Sequence, residues 1–299
     1  MRKAFTLIEL IFVIVILGII AVIGSGIFIR IYESYITSRA INELETKTEL
    51  VLSQLAKRLS YRIKEATIAR KQPNDSNITA LSMADQNYQI LEWIGYDNDG
   101  FRGEWDGTKY QPGWSGFIDL DSNETNKTKI KTPGSKLSYA NSIISQLSNG
   151  AADLNNTGAA IIFKGLPLGF DINNYGWNEN PNYGTIGNHN YVLRVKQAAG
   201  QEDVLEFTEN LGSKDIVEQY YLVWSAYAVV PENGNLYLYS NYRPWFAERY
   251  NDGNRNLLAE NVSVFKFRQI DKVIRLKLCL FKNITDDYNI SFCKEKVVF

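Results

Sequence analysis

Histidine is almost absent: His189 is the single imidazole in the chain. One imidazole removes most zinc ligand sets and argues against Ser-His-Asp catalysis before any geometry is considered. An excess of charge of one sign is missing too. Thirty-two Lys and Arg stand against 33 Asp and Glu, a net of -1. Such a balance gives no global field for drawing in nucleic acid or an anionic membrane surface. Cysteine is confined to Cys279 and Cys293. The segments around them, VIRLKLCLFK and YNISFCKEKVVF, read as strands with a turn at NITDD. A hairpin centred near Asp286 would set the two thiols opposite each other. Two readings stay open: a disulfide, which implies an oxidising compartment, and a pair of buried free thiols.

What the chain does have is concentrated at one end. Phe5 to Ile29 is a run of 25 residues with one charge in it, Glu9. As a helix it is about 37 Å long, enough to cross a hydrocarbon core with some tilt. Arg2 and Lys3 precede it, which keeps the N-terminus cytoplasmic. A cleaved secretory signal shares the basic start and the apolar stretch. This run is too long for one, and no A-x-A site follows. A plain anchor leaves Glu9 unexplained, because a carboxylate at membrane depth is costly and usually functional.

The segment A-FTLIEL-IFVIVILGIIA resembles the class III signal of type IV pilins and type II secretion pseudopilins. The resemblance implies cleavage by a prepilin peptidase between Ala4 and Phe5, followed by N-methylation of Phe5. Most members carry Gly before the cut; Ala4 is small as well. It also implies a role for Glu9. The new amine on Phe5 of one subunit would pair with Glu9 of a neighbour as helices pack side by side. Such a buried pair adds little net stability and penalises wrong stagger.

Beyond Arg30 apolar residues recur at helical spacing: Ile41, Leu44, Val51, Leu55, Leu59, Ile63 and Ala66. The pattern predicts an amphipathic helix that continues to about Lys71, with Pro73 as its stop. Glu43, Glu45, Glu49, Lys57, Arg58, Arg62 and Lys64 read as its solvated faces. The membrane half and the head-packed half would meet near Gly24-Ser25-Gly26. Those glycines serve either as a place to bend or melt or as small residues for close helix packing. The expected organisation is a leader at 1–4, a membrane and filament-core helix at 5–29, an amphipathic helix at 30–72 and a globular head at 73–299.

The head reads as strands: YQILEWIGYD, SGFIDLD, AAIIFKG, YVLRVKQ and DVLEFT. EQYYLVWSAYAVV and NLYLYSNYR then flank a PENG turn, a hairpin signal, and NVSVFKFRQ, VIRLKLCLF and the C-terminal strand close the chain. KLSYANSIISQLSNG, 136–150, reads as a short helix. The fold class is therefore α+β, a long N-terminal helix packed on a mostly antiparallel sheet. The order of the last strands resembles the larger J-type minor pseudopilins and minor pilins.

Three patterns in the head carry candidate chemistry. In DNDGFRGEWDG, Asp97, Asp99 and Asp106 offer oxygen ligands for calcium, though the spacing is not that of an EF-hand; a turn is the better reading. Five N-x-S/T acceptors have an acid two residues earlier: Asn77, Asn123, Asn126, Asn155 and Asn289. With 33 acids in 299 residues this exceeds chance placement. It points to N-glycosylation of a periplasmic or external head, against Asn-rich loops as the alternative. Lys266, Arg268, Lys272, Arg275 and Lys277 form either a DNA-contacting stripe or the exposed face of a sheet.

These readings converge on a non-enzymatic filament subunit with no cofactor, single-pass in the inner membrane with a periplasmic head. Its expected partners are the prepilin peptidase, other pilins or pseudopilins, and secreted cargo or DNA. An adhesive tip subunit of a type IV pilus is the alternative.

Overall fold

The computed structural model describes residues 6–71, 77–155, 158–165, 171–177, 191–209, 211–212, 214–285 and 288–299. Ala4, Phe5, Pro73, His189 and Asp286 lie outside them. The first helix, α1 (Leu7–Leu59), has 53 residues and is about 80 Å long. Nearly every residue from Leu7 to Tyr35 is exposed. The chain stays helical through Gly18, Gly24 and Gly26, and nothing lies within 4 Å of a Cβ added at any of them. Burial begins with Ala40 and continues along one stripe through Leu44, Thr48, Val51, Leu52, Leu55 and Leu59. The junction between free and packed helix therefore falls more than a dozen residues beyond the glycine pair.

The expected continuation of the helix to Lys71 is corrected by the structure. Ser60 caps α1, donating its backbone N–H to Ala56 O, and Arg62 folds back over the helix end. Its guanidinium donates to Leu59 O at 2.7 Å, to Phe299 O at 3.3 Å and to Lys272 O at 3.2 Å. A cation on the last carbonyls is a helix stop that spacing alone does not announce. Residues 62–70 form a strand instead. Ile63 and Ala66 keep helical spacing, and Lys64, Glu65 and Ala66 favour helix. Pairing and burial on both faces outweigh that local preference.

The strands run in chain order. The first are β1 (Arg62–Arg70), β2 (Ile78–Ala80), β3 (Ile90–Tyr96), β4 (Glu104–Trp105), β5 (Tyr110–Gln111) and β6 (Lys129–Lys131). Next come β7 (Ala160–Phe163), β8 (Val192–Gln197), β9 (Val204–Phe207), β10 (Tyr220–Glu232) and β11 (Asn235–Tyr242). The last are β12 (Asn254–Ala259), β13 (Val262–Ile270), β14 (Val273–Thr285) and β15 (Tyr288–Val298). Helix α2 (Asn98–Arg102) follows β3, and α3 (Leu137–Leu147) follows β6. FIDLD is not a strand; it makes a single bridge, Phe117 to Gln219.

Ten strands make one sheet in the order β2-β1-β3-β10-β7-β8-β9-β6, with β11 and β12 continuing from β10. The β10–β11 hairpin turns on Asn233 and Gly234, both with positive φ (50° and 77°). That is the signature of an Asn-Gly type I′ turn. Among the described residues every strand pairing is antiparallel. Arg70 and Glu92 pair at 2.5 Å within the large sheet, and Tyr242 donates to the same carboxylate at 3.0 Å. All three are buried. Removing one partner from such a pair costs about 3–5 kcal/mol, because the other charge is left unmatched.

A separate sheet, β13-β14-β15, receives α1. Leu276, Leu278, Leu280, Ile274, Ile290 and Val298 meet the helix stripe in one core. Two further cores fill the two sides of the large sheet. One is built around Trp245, Tyr242 and Ile94, the other around Trp114, Tyr220 and α3.

Candidate functional site

Glu9 has a local task. Thr6 is the N-cap of α1, and its side chain accepts from Glu9 N–H at 3.4 Å. The Glu9 carboxylate reaches back, with Oε2 accepting from Thr6 N–H at 3.0 Å and from its hydroxyl at 2.9 Å. This is a capping box, and its T-x-x-E spacing stands in the sequence as Thr6-Leu7-Ile8-Glu9. That signal was available to sequence reasoning beside the family resemblance. Oε1 takes no hydrogen bond from the described residues, so one oxygen remains for a donor from outside. The proposed donor, the Phe5 amine of a neighbour, is not part of a single chain.

The acidic face of α1 is not merely solvated, as its spacing suggests. Glu43 pairs with Lys282 across the helix–sheet junction and with Lys47 at 2.7 Å. Glu49 takes Lys296 at 2.7 Å and Lys294 at 2.9 Å. Those hydrogen bonds hold both carboxyls down at about 2, below the usual carboxylate range. Lys282, Lys294 and Lys296 share the face of β14 and β15 that covers the helix, so their stems lie along the apolar stripe and their heads reach its acids. No one-dimensional pattern links Glu49 to a lysine 247 residues away.

Of the three aspartates that offer oxygen ligands for calcium, Asp97 and Asp106 close turns. Asp97 is the N-cap of α2, with Oδ1 accepting from Gly100 N–H at 3.2 Å. Asp106 Oδ1 accepts from the Thr108 hydroxyl and from the N–H groups of Thr108 and Lys109, which brings its carboxyl down to about 2. Asp99 is exposed in α2. Among the described residues no group of three His, Cys, Asp or Glu could hold a metal ion. The donor set does not fit a calcium site.

Cys279 and Cys293 face each other across β14 and β15 and are bonded through their sulfurs. The basic residues fall into an ordered patch. Lys266 lies opposite Lys277, and Arg268 opposite Arg275, on the face of β13 and β14 turned away from α1. Arg275 and Lys277 share Glu295 at 4.0 and 3.8 Å. Lys272 sits in the turn between the two strands, its carbonyl held by Arg62. Asn77, Asn123, Asn126, Asn155 and Asn289 are all exposed.

A family model, the prokaryotic N-terminal methylation motif, matches residues 1–25. The chain therefore carries the class III prepilin signal that type IV pilins and type II pseudopilins share. With an 18-residue window of mean hydropathy 3.1 in the uncovered part of α1, the signal supports membrane anchoring through the N-terminus. No curated protein and no solved structure matches the chain.

Proposed function

We propose that this chain is a minor, structural subunit of a type IV pilus-like or type II secretion filament. A prepilin peptidase would cut between Ala4 and Phe5, and Phe5 would then be N-methylated. The observation that carries the reading is the motif at residues 1–25 running directly into a helix the head does not cover. An apolar surface of that length needs lipid or neighbouring helices around it. Arg2 and Lys3 put the N-terminus in the cytoplasm and the head in the periplasm. In the filament, Glu9 Oε1 would receive the Phe5 amine of the next subunit. The exposed sequons support glycosylation of the head. The facing basic pairs on β13 and β14 support DNA as one cargo and a secreted protein as the other. Large size and the order of the final strands favour a J-type position.

The test is the N-terminal peptide and intact mass of the protein from its native host. N-methyl-Phe at position 5 is expected, with any mass excess counting glycans. A chain that keeps Met1, or one that starts beyond Gly24, overturns the processing and the filament with it.

One observation favours an adhesive tip subunit. Trp105 and Tyr110 are 55% and 70% exposed on the β4–β5 hairpin, their rings 5.3 Å apart. An aromatic pair held out in solvent suits surface contact. Under that reading, deletion abolishes attachment while secretion and transformation persist.

A further inference from the structure

The β14–β15 hairpin runs along α1 towards the apolar run and passes the end of the core they share. Its ion pairs mark the descent. Lys296 meets Glu49, Lys294 meets Glu49 and Glu45, and Lys282 meets Glu43. Thr285 follows Lys282 on the same strand, about 10 Å further in that direction. The helix is buried only from Ala40 onwards. The end of the hairpin therefore overhangs a part of α1 that the head does not cover. Between the two lies an open groove of about 920 Å³. Phe28, Ile29, Tyr32 and Ile36 form one wall, and Ile284 and Tyr288 the other.

Close-packed proteins leave few gaps of that size, because the lining forfeits contacts across a void. Here Phe28, Tyr32 and Tyr288 stay 76%, 65% and 51% exposed. What covers them follows from where the groove begins. Phe28 and Ile29 are the last members of the apolar run, whereas Glu33 and Thr37, the polar α1 residues of the wall, come after its end. With Ile29 at the edge of the hydrocarbon, Tyr32 stands about 5 Å above it, within the headgroup layer, and Ile36 about 10 Å above it, at the outer side of that layer. Tyrosine suits this level, with its ring against acyl chains and its hydroxyl in water. Tyr32 and Tyr288 supply one such ring from each wall. The groove is thus continuous with the lipid-facing surface of the span.

We infer that this groove holds the headgroup-proximal part of a phospholipid acyl chain, so that the end of the β14–β15 hairpin rests in the headgroup layer. The inference rests on anchoring by α1 and not on processing at Ala4 and Phe5.

The full chain is reconstituted in phosphatidylcholine vesicles, and flotation with the vesicles reads the anchoring separately. Cys279 and Cys293 are bonded to each other, so an introduced cysteine takes a bimane label. On Thr285→Cys, the label should be quenched by a lipid with a nitroxide near the headgroup end of its acyl chain, and about twofold less by one with the nitroxide near the methyl end. On Trp105→Cys the label should not respond, since β4 follows α2, which lies beside the C-terminal end of α1. Ile36→Asp puts a carboxylate into the groove from the helix side and should lower the quenching at Thr285 about fivefold. Tyr288→Ser removes the ring from the opposite wall and should lower it about twofold. Circular dichroism and melting temperature check that both variants fold. Protein that does not float overturns the anchoring and the inference with it. Floated protein overturns the inference alone if Thr285 shows no quenching, if Trp105 is quenched as strongly, or if both variants behave like the parent. Quenching that fades as the protein-to-lipid ratio rises overturns it too, and would put a second copy of the chain in the groove.

Discussion

At the scale of one side chain, Asp97 caps α2 with a carboxyl that is itself buried. Burial pushes its carboxyl up to about 7; the Gly100 N–H pulls against that, Asp99 adds to the rise, and the indoles of Trp224 and Trp114 lower it somewhat. The unfolded chain releases this proton near 3.8, so between about pH 4 and pH 7 the native state holds a proton that the unfolded state has lost. Stability therefore falls as pH rises through that window, by on the order of a few kcal/mol. Asp97→Asn keeps an oxygen for Gly100 and removes the titration. Its melting temperature at pH 8 should exceed the parent's, with the two closer at pH 5. An unchanged gap between pH 5 and pH 8 in the variant would sink this assignment. Glu9 shows the same economy of one carboxylate in two settings: one oxygen closes the capping box, and the other is open to a neighbour.

At the scale of elements, the decisive contact is between the second half of α1 and the β14–β15 hairpin. The apolar stripe supplies the burial, and the Glu43 and Glu49 pairs fix which way the hairpin lies along the helix. Both carboxyls are held at about 2 against an ordinary 4.5. Their contribution is present above the unfolded value and is lost as pH falls from 4.5 towards 2. Exposed pairs of this kind are screened by salt. Hydrogen-exchange protection in residues 40–52 and 290–298, taken relative to the intrinsic amide rate at each pH, should therefore fall at pH 2.5 relative to pH 5, and in high salt at pH 5. Glu49→Gln, which strips Lys294 and Lys296 of a partner, should raise the pH 5 rate and shrink the difference. Equal exchange in parent and variant under all three conditions would leave only the apolar stripe to set the docking.

For the molecule as a whole, two solvents are written into one helix. The 18-residue span in its first half has none of its surface buried by the head, while the first buried residue is Ala40. The head should fold without the span. A chain beginning at Arg30 is expected to be soluble and monomeric by light scattering, with the far-UV spectrum of the full protein less one stretch of helix. Aggregation of that fragment would mean that the apolar half shields head surface. The full chain should enter membranes or detergent micelles, as a helix of about 37 Å with one charge requires.

The apolar run, its lone acid and the basic start were legible by themselves, because a membrane span is a property of consecutive residues. So were the β10–β11 hairpin, α3 and the facing cysteines, since local period and turn residues set each of them. The end of α1 was not legible. Residues 62–70 carry helical spacing, and only Arg62 reaching Leu59, Lys272 and Phe299, together with a partner strand at Ile90–Tyr96, makes them a strand. The Glu49–Lys296 pair and the buried Arg70–Glu92–Tyr242 cluster share that character. Each joins residues far apart in the chain, where side-chain period carries no information, and only the folded packing brings them within reach.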